Sequence, residues 1–408
     1  MTQAVIHHAT AAPPGSDGAR IRVLDVLRGV AVLGILLMNI QSFGRLSSEY
    51  LNPKALGEPP PLDWAVWIIS HVVADGKFIA MLTILFGAGI VIMAGNSRET
   101  ATAFQQRFQR RMVWLFLFGL AHGMLLWPGD ILAAYAVCGA IALRLRHRPT
   151  ADLVWLGVLL LAAMTVLWML FSAVLVFALP VDWIVHLATR FWVPHAELVY
   201  AEMERLTTGW LGSAGERALN AVGAQAWMFV SDRVFSMLAM MLFGMALVRI
   251  GFLSGQWSVH SYRRVALAGL GVGVPMVLAG LWFNEVVNWD FRYSMFLGRI
   301  ANHWASIAIA IAWIALFILL VKQDALGVVG RWLEAVGRMA MTNYLGQSII
   351  CVLIFYGIGL GLFSRLGYLE LLAVVLLIWA FQIAFSLGWR SLFAMGPFEA
   401  IWRRLAKG

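Results

Sequence analysis

Charge is what this chain has least of: acidic and basic residues fill 12% of its 408 positions, against about 25% in a soluble domain. That scarcity excludes an exterior wetted on every side. Cysteine is almost missing too. Cys138 and Cys351 both lie in apolar stretches, which excludes a disulfide framework and leaves no thiol beside a histidine cluster. No Gly-rich loop closes on Lys-Ser or Lys-Thr, so ATP-driven pumping has no support. Neither a Gly-x-Ser-x-Gly elbow nor a zinc-binding His-Glu-x-x-His helix occurs, and no metal is expected. The first twenty residues contain no apolar run, which argues against a cleaved signal peptide and for a disordered cytoplasmic tail over 1–20.

What is present is apolar. Hydrophobic residues make up 61% of the chain, and it carries 19 tryptophans, a residue suited to the membrane–water boundary. Apolar runs fall at 23–43, 77–95, 112–127, 130–144, 152–179, 225–248, 265–283, 296–321, 339–360 and 368–389. The fold class they predict is all-α: a polytopic integral membrane protein with about ten transmembrane helices. Residues 62–75 form an apolar but short stretch, read as interfacial or re-entrant. The net charge of +9 is spread over short loops, which suits membrane lipids as partners and not nucleic acid. Arginines concentrate in alternate loops (Arg107, Arg110 and Arg111; Arg144, Arg146 and Arg148; Arg263 and Arg264; Arg403 and Arg404), which predicts both termini in the cytoplasm. Residues 21–408 then form a single transmembrane domain with a periplasmic cap segment near 180–222. A faint similarity links KFIAMLTILFGAGIVI (77–92) to RVFSMLAMMLFGMALVRI (233–250), each with a Leu-Phe-Gly near its middle. It reads as duplication or as two helices using glycine for close packing.

Each ionisable group within a bilayer costs at least about 2.5 kcal/mol at a helix centre, so each needs a partner or a purpose. Asp25 and Arg28 share a helix face and read as an anchoring ion pair or as part of a site, with Asn39 extending the polar stripe. Lys77 reads as a snorkelling cation or a buried one. His122 is either a satisfied interhelical histidine or a general base, and Asp130 is placed to cap the following helix. Asp232, Arg233, Arg299, Asn343 and Gln347 complete the set, the two amides doubling as candidates for interhelical glue. Together these groups suggest one polar cavity, richest in its outer half.

The motif RVLDVLRGVAVLGILLMNIQSF resembles the opening of the YeiB-like bacterial membrane proteins, the family of domain of unknown function 418. KFIAMLTILFGAGI, RRMVWLFLFGLAHGMLLWPGDILAAYAVCG, RFWVPH, GRMAMTNYLGQSII and GPFEAIWRRLAKG extend the resemblance over nearly the whole chain. Leu24, Asp25, Arg28 and Gly29 are more distantly similar to the Leu-Asp-x-x-Arg-Gly opening of membrane acyltransferases, the acyltransferase-3 and heparan-α-glucosaminide N-acetyltransferase groups. That likeness implies a multi-pass protein of the bacterial inner membrane moving an acyl group from cytoplasmic acyl-CoA, acetyl-CoA first among donors. The acceptor would be a glycan, a lipid-linked group or a small molecule at the outer face. Arg28 with Arg110 or Arg111 would neutralise CoA phosphates, and Arg233 or Arg299 would face the oxyanion. No histidine here matches the family's catalytic one cleanly: His71 lies in roughly the corresponding segment, His122 is the better-placed intramembrane candidate, and direct transfer needs no covalent intermediate. Transport of a small solute or lipid is the alternative. The oligomeric state is left open, a homodimer included.

Overall fold

A computed structural model describes residues 16–208, 212, 214–228 and 234–407, and among these every regular element is helical. α1 (Ser16–Gly44) leads through the one-turn α2 (Ser47–Leu51) to α3 (Pro61–Ala74) and α4 (Lys77–Gly95). α5 (Ala101–Leu125) and α6 (Leu132–Leu145) form a hairpin, and α7 (Thr150–Ala173) runs out through a π turn. α8 (Val181–Phe191), α9 (Ala196–Thr207) and α10 (Ala214–Met228) fall on the stretch expected as a cap and run six residues past it, followed by α11 (Val234–Arg249). α12 (Val259–Val286), the single turn α13 (Phe291–Ser294) and α14 (Leu297–Lys322) come next. α15 (Gly327–Arg338), α16 (Ala340–Phe355), α17 (Tyr368–Leu392) and α18 (Pro397–Lys407) complete the chain.

Among the described residues, six stretches are long and apolar enough to cross a membrane: Arg22–Gly44, Pro61–Gly95, Thr150–Ala178, Val259–Val286, Phe291–Lys322 and Tyr368–Leu392. The molecule is an α-helical membrane protein. α6, α11 and α16 are apolar but shorter, at 14, 16 and 16 residues. At 1.5 Å per residue they reach only about 21–24 Å, less than the roughly 30 Å of a hydrocarbon core.

Several expectations change. The run at 112–127 is the second half of α5, whose first half carries Arg107, Arg110 and Arg111. The run at 225–248 holds the end of α10 and nearly all of α11, with residues 229–233 outside the described residues. The stretch at 62–75 is α3, joined to α4 through Asp75 and a left-handed Gly76 (φ 77°). Helix α1 begins at Ser16, so the last five residues of the tail expected at 1–20 are helical.

Contacts between distant segments define two ends of the bundle. At the basic end Arg338 Nε donates to Asp25 Oδ2 (3.0 Å), and Trp402 Nε1 donates to the Arg111 carbonyl (2.9 Å). There Glu399 of α18 accepts from the backbone N–H groups of Met341 (2.7 Å) and Thr342 (3.0 Å), capping the start of α16. At the capped end the backbone N–H of Ser364 donates to Gly44 O, Gly357 N–H donates to Leu206 O, and Asn52 Nδ2 donates to Trp192 O.

Glycine brings two helix pairs close. A Cβ on Gly337 would lie 1.8 Å from the Asp25 carbonyl oxygen, and one on Gly29 2.0 Å from that of Leu333, so α1 and α15 touch backbone to backbone. The Leu-Phe-Gly motifs of α4 and α11 meet each other: a Cβ on Gly87 would strike Met241 O, and one on Gly244 would strike Ile84 O. The Gly in the Leu-Asp-x-x-Arg-Gly opening is thus a packing residue, as are both glycines of the faint repeat.

Candidate functional site: a buried serine, histidine and aspartate

α5 and α6 are joined by a short turn whose outer residues Leu125 and Pro128 are exposed while His122, Trp127 and Asp130 turn inward and are buried. His122 is in the last turn of α5 and Asp130 just precedes α6. His122 Nδ1 is 2.9 Å from Asp130 Oδ1, and its Nε2 is 2.8 Å from Ser348 Oγ on α16. All three residues are buried, at 3%, 0% and 2% exposure.

Each member is held by something else. Asp130 Oδ2 accepts from the Ala133 N–H (2.9 Å), satisfying an orphan donor at the start of α6 as the sequence suggested. Tyr344 sits one turn before Ser348, with its ring 5.3 Å from the imidazole and its hydroxyl accepting from Ile131 N–H (3.3 Å). From the cap, Gln225 Nε2 donates to the carbonyls of Pro128 (2.8 Å) and Asp130 (3.2 Å). Trp127 stacks on Phe43 of α1 at 4.5 Å. Gly119 lets α6 approach, since a Cβ there would lie 2.3 Å from Ala133 N.

The other candidate residues fall into three further groups. Around the α3–α4 break, His71 Nδ1 is 3.2 Å from Asp75 Oδ2, and Trp67 stacks on the imidazole at 4.9 Å. Lys77, fully buried, donates to His71 O (2.8 Å) and to Asn302 Oδ1, while Asn302 Nδ2 donates to Asp75 Oδ2 (2.7 Å). Lys77 therefore does not snorkel; its ammonium is met inside. Arg299, one turn along α14, lies over the Trp168 ring at 5.1 Å.

At the basic end Asp25 accepts from Arg28 (3.0 Å) as well as from Arg338, and Arg338 also bridges to Glu334 (2.6 Å). The spacing of Asp25 and Arg28 signalled the first pair; the cross-helix partner was out of sequence reach. Arg110 is exposed, whereas Arg111 lies over the Trp402 ring at 4.4 Å. An open groove of about 340 Å³ between α17 and α18 is lined by Trp389, Phe393, Met395, Arg403, Arg404 and Lys407.

The amides form the last group. Gln347 Nε2 donates to Val32 O and Gln382 Oε1, and Asn343 Nδ2 donates to Met339 O and Ser386 Oγ, all at 3.0 Å. This ladder ties α16 to α1 and α17, the glue reading. Asn39 is half-buried on α1. Asp232 and Arg233 lie outside the described residues. Among the described residues the candidate groups do not share a single polar cavity, and most of them divide among four separate networks. No cluster of three or more His, Cys, Asp or Glu suited to a metal occurs among the described residues.

Sequence reading missed Ser348, Gln225 and Asn302. Ser348 had a signal: it follows Tyr344 at i+4 and so shares its helix face.

A helical membrane protein with a fully buried Ser–His–Asp chain at the tip of a short hairpin is the class these features define. Residues 247–408 match a family described as a protein of unknown function, DUF418. The chain is 35% identical over 393 residues to the uncharacterized protein YeiB of Escherichia coli (strain K12), covering 94% of this chain and 95% of that one. It is 30% identical over 423 residues to the uncharacterized protein YxaH of Bacillus subtilis (strain 168), covering 96% and 95%. A 39.9 kDa uncharacterized protein from the amylase 3′ region of Bacillus acidopullulyticus is 25% identical over 388 residues. The chain belongs to the YeiB-like DUF418 family.

Proposed function

We propose that this protein is a transmembrane acyltransferase of the bacterial inner membrane, taking an acyl group from cytoplasmic acyl-CoA to an acceptor at the outer face. The observation that carries the reading is the His122–Asp130 pair, an imidazole oriented by a carboxylate at the inner tip of a hairpin. That is the arrangement a general base requires: one ring nitrogen fixed by a carboxylate, the other turned toward a hydroxyl, here that of Ser348.

The six long apolar stretches together with α5, α6, α11 and α16 make ten crossings. With the arginine-rich basic end in the cytoplasm, both termini are inside and the α8–α10 cap lies outside. The donor's nucleotide portion then meets the α17–α18 groove, where Trp389 and Phe393 offer aromatic faces and Arg403, Arg404 and Lys407 offer charge to phosphates. This moves the donor contact away from Arg28, which is committed to Asp25. The cap, reaching down through Gln225, is the side from which an acceptor hydroxyl or amine approaches His122. His71, with its Nδ1 on Asp75 and its ring on Trp67, is the weaker base candidate.

The test is binding of acetyl-CoA and decanoyl-CoA to the full-length protein in detergent, followed by calorimetry and thermal shift. Saturable binding that weakens at least tenfold in Arg403→Ala/Arg404→Ala and persists in His122→Ala is expected. Absence of binding at millimolar acyl-CoA by folded wild type sinks the reading. One observation favours transport instead: the buried Lys77–Asn302–Asp75–His71 network at a broken helix, a place where transporters hold ions. Counterflow of a labelled solute in proteoliposomes, lost in Lys77→Met, would favour that alternative.

A further inference from the structure

With Asp130 ionised and His122 neutral, Asp130 Oδ1 accepts from Nδ1–H of the imidazole, and Nε2 presents a lone pair. Ser348 Oγ–H, 2.8 Å away, then donates to Nε2. A serine whose hydroxyl proton points at an imidazole nitrogen, with that imidazole anchored by a carboxylate, is set up for deprotonation as it attacks.

Simple burial of three polar groups would be satisfied by far less structure. Here three segments converge, and each is fixed independently. Glu399 caps α16 at its start, Ala133 and the hairpin turn fix Asp130, and Gln225 grips the Pro128 and Asp130 carbonyls from the cap. Orientation by outside partners is what a reacting constellation requires. The serine lies eight residues into α16, about 12 Å in from its basic-end start.

We propose that Ser348 is the nucleophile of a two-step transfer, holding the acyl group as an ester between donor and acceptor, with His122 as base and Asp130 as its positioning carboxylate. This rests on the acyltransferase reading and replaces direct transfer within it. In the first step Oγ bonds to the thioester carbonyl carbon while its proton passes to Nε2. The carbon–sulfur bond breaks, and the departing thiolate takes that proton to leave as free CoA thiol. In the second step an acceptor hydroxyl gives its proton to Nε2 and attacks the ester carbon. The bond to Oγ breaks, and Oγ recovers the proton. The sum is thioester plus alcohol giving ester plus thiol. A covalent holding point between the two membrane faces lets donor and acceptor bind at different times.

Two measurements on the full-length protein in detergent test the proposal, with folding of every variant checked by thermal shift. The first is covalent labelling by an alkyl fluorophosphonate, mapped by mass spectrometry. The second is the burst of free thiol on mixing with acetyl-CoA or decanoyl-CoA without acceptor, read with a thiol dye. Wild type should be labelled at Ser348 and release up to one thiol per protein in the burst. Ser348→Ala should lose both, and His122→Ala should slow both on the order of 10³–10⁴-fold. Asp130→Asn should slow labelling at least tenfold. Ser172→Ala, a buried serine on α7, should leave both unchanged.

Labelling of no serine, or equal labelling of Ser348 in wild type and His122→Ala, overturns the nucleophile. Acyl-CoA turnover that is equal in wild type and Ser348→Ala keeps the acyltransferase and removes its covalent step. His122-dependent labelling of Ser348 without acyl-CoA binding or thiol release overturns the donor and the two-step scheme with it, leaving an activated serine.

Discussion

A fully buried ammonium costs several kcal/mol unless its donors are met by good acceptors. Lys77 meets that condition through Asn302, whose carbonyl accepts from it while its amide donates to Asp75. Removing Asn302 alone should therefore hurt more than removing the whole arrangement. Asn302→Ala is expected to destabilise the protein by about 2–3 kcal/mol, and Lys77→Met combined with Asn302→Leu to recover much of the loss. Denaturation midpoints in detergent decide it, and equal losses for both would sink the idea. Asp290, between α12 and α14, offers a pH test. Hydrogen bonds from Arg292 hold its carboxyl below the usual carboxylate range. A depressed folded-state value means its stabilisation is full above the unfolded pKa, about 3.9, and is lost as pH falls through the folded value. Wild type should thus melt above Asp290→Asn at neutral pH, with the gap closing only below pH ~4. At this scale the sequence showed which residues are polar and out of place, among them His122, Asp130 and Lys77. It did not show their partners, because Ser348 lies 226 positions from His122 and Asn302 lies 225 from Lys77.

Helices here are placed by what is absent from their contact faces. Gly337 and Gly29 let α1 and α15 touch, which brings Arg338 to Asp25. A methyl at Gly337 has no free volume, because the obstacle is the backbone oxygen of Asp25. Gly337→Ala should destabilise by about 1–3 kcal/mol or prevent folding. Gly346→Ala, where a Cβ would meet nothing within 4 Å, should be neutral or slightly stabilising. Comparable melting temperatures for the two variants would contradict the packing account. Element positions were largely legible, since apolar runs marked α1, α4, α7, α12, α14, α16 and α17. The lengths of α5 and α10 were not, because both extend through polar residues that hydropathy assigns to loops.

For the molecule as a whole, orientation decides which end meets the cytoplasm, and the exposed positions Glu58 and Gln323 report it from opposite ends. In a background with Cys138 and Cys351 replaced by alanine, Glu58→Cys should react with a membrane-impermeant maleimide in intact cells. Gln323→Cys should react only after lysis. The reverse pattern would invert the topology and place the α17–α18 groove outside, away from cytoplasmic acyl-CoA. The cation bias that predicts this orientation was legible residue by residue, whereas the grouping of polar side chains into four networks depends on helix packing that no local pattern encodes.

The short hairpin bears on how the chain is made. α5 and α6 emerge from the ribosome long before α10 and α16, yet their tip is completed only when Gln225 and Ser348 arrive. Until then a histidine, an aspartate and two peptide carbonyls face the bilayer interior or the insertion machinery unroofed. An α6 of about 21 Å is a poor independent span, so the hairpin is expected to settle only once the later helices pack on it. A nascent chain truncated before α10 is then a natural substrate for membrane quality control.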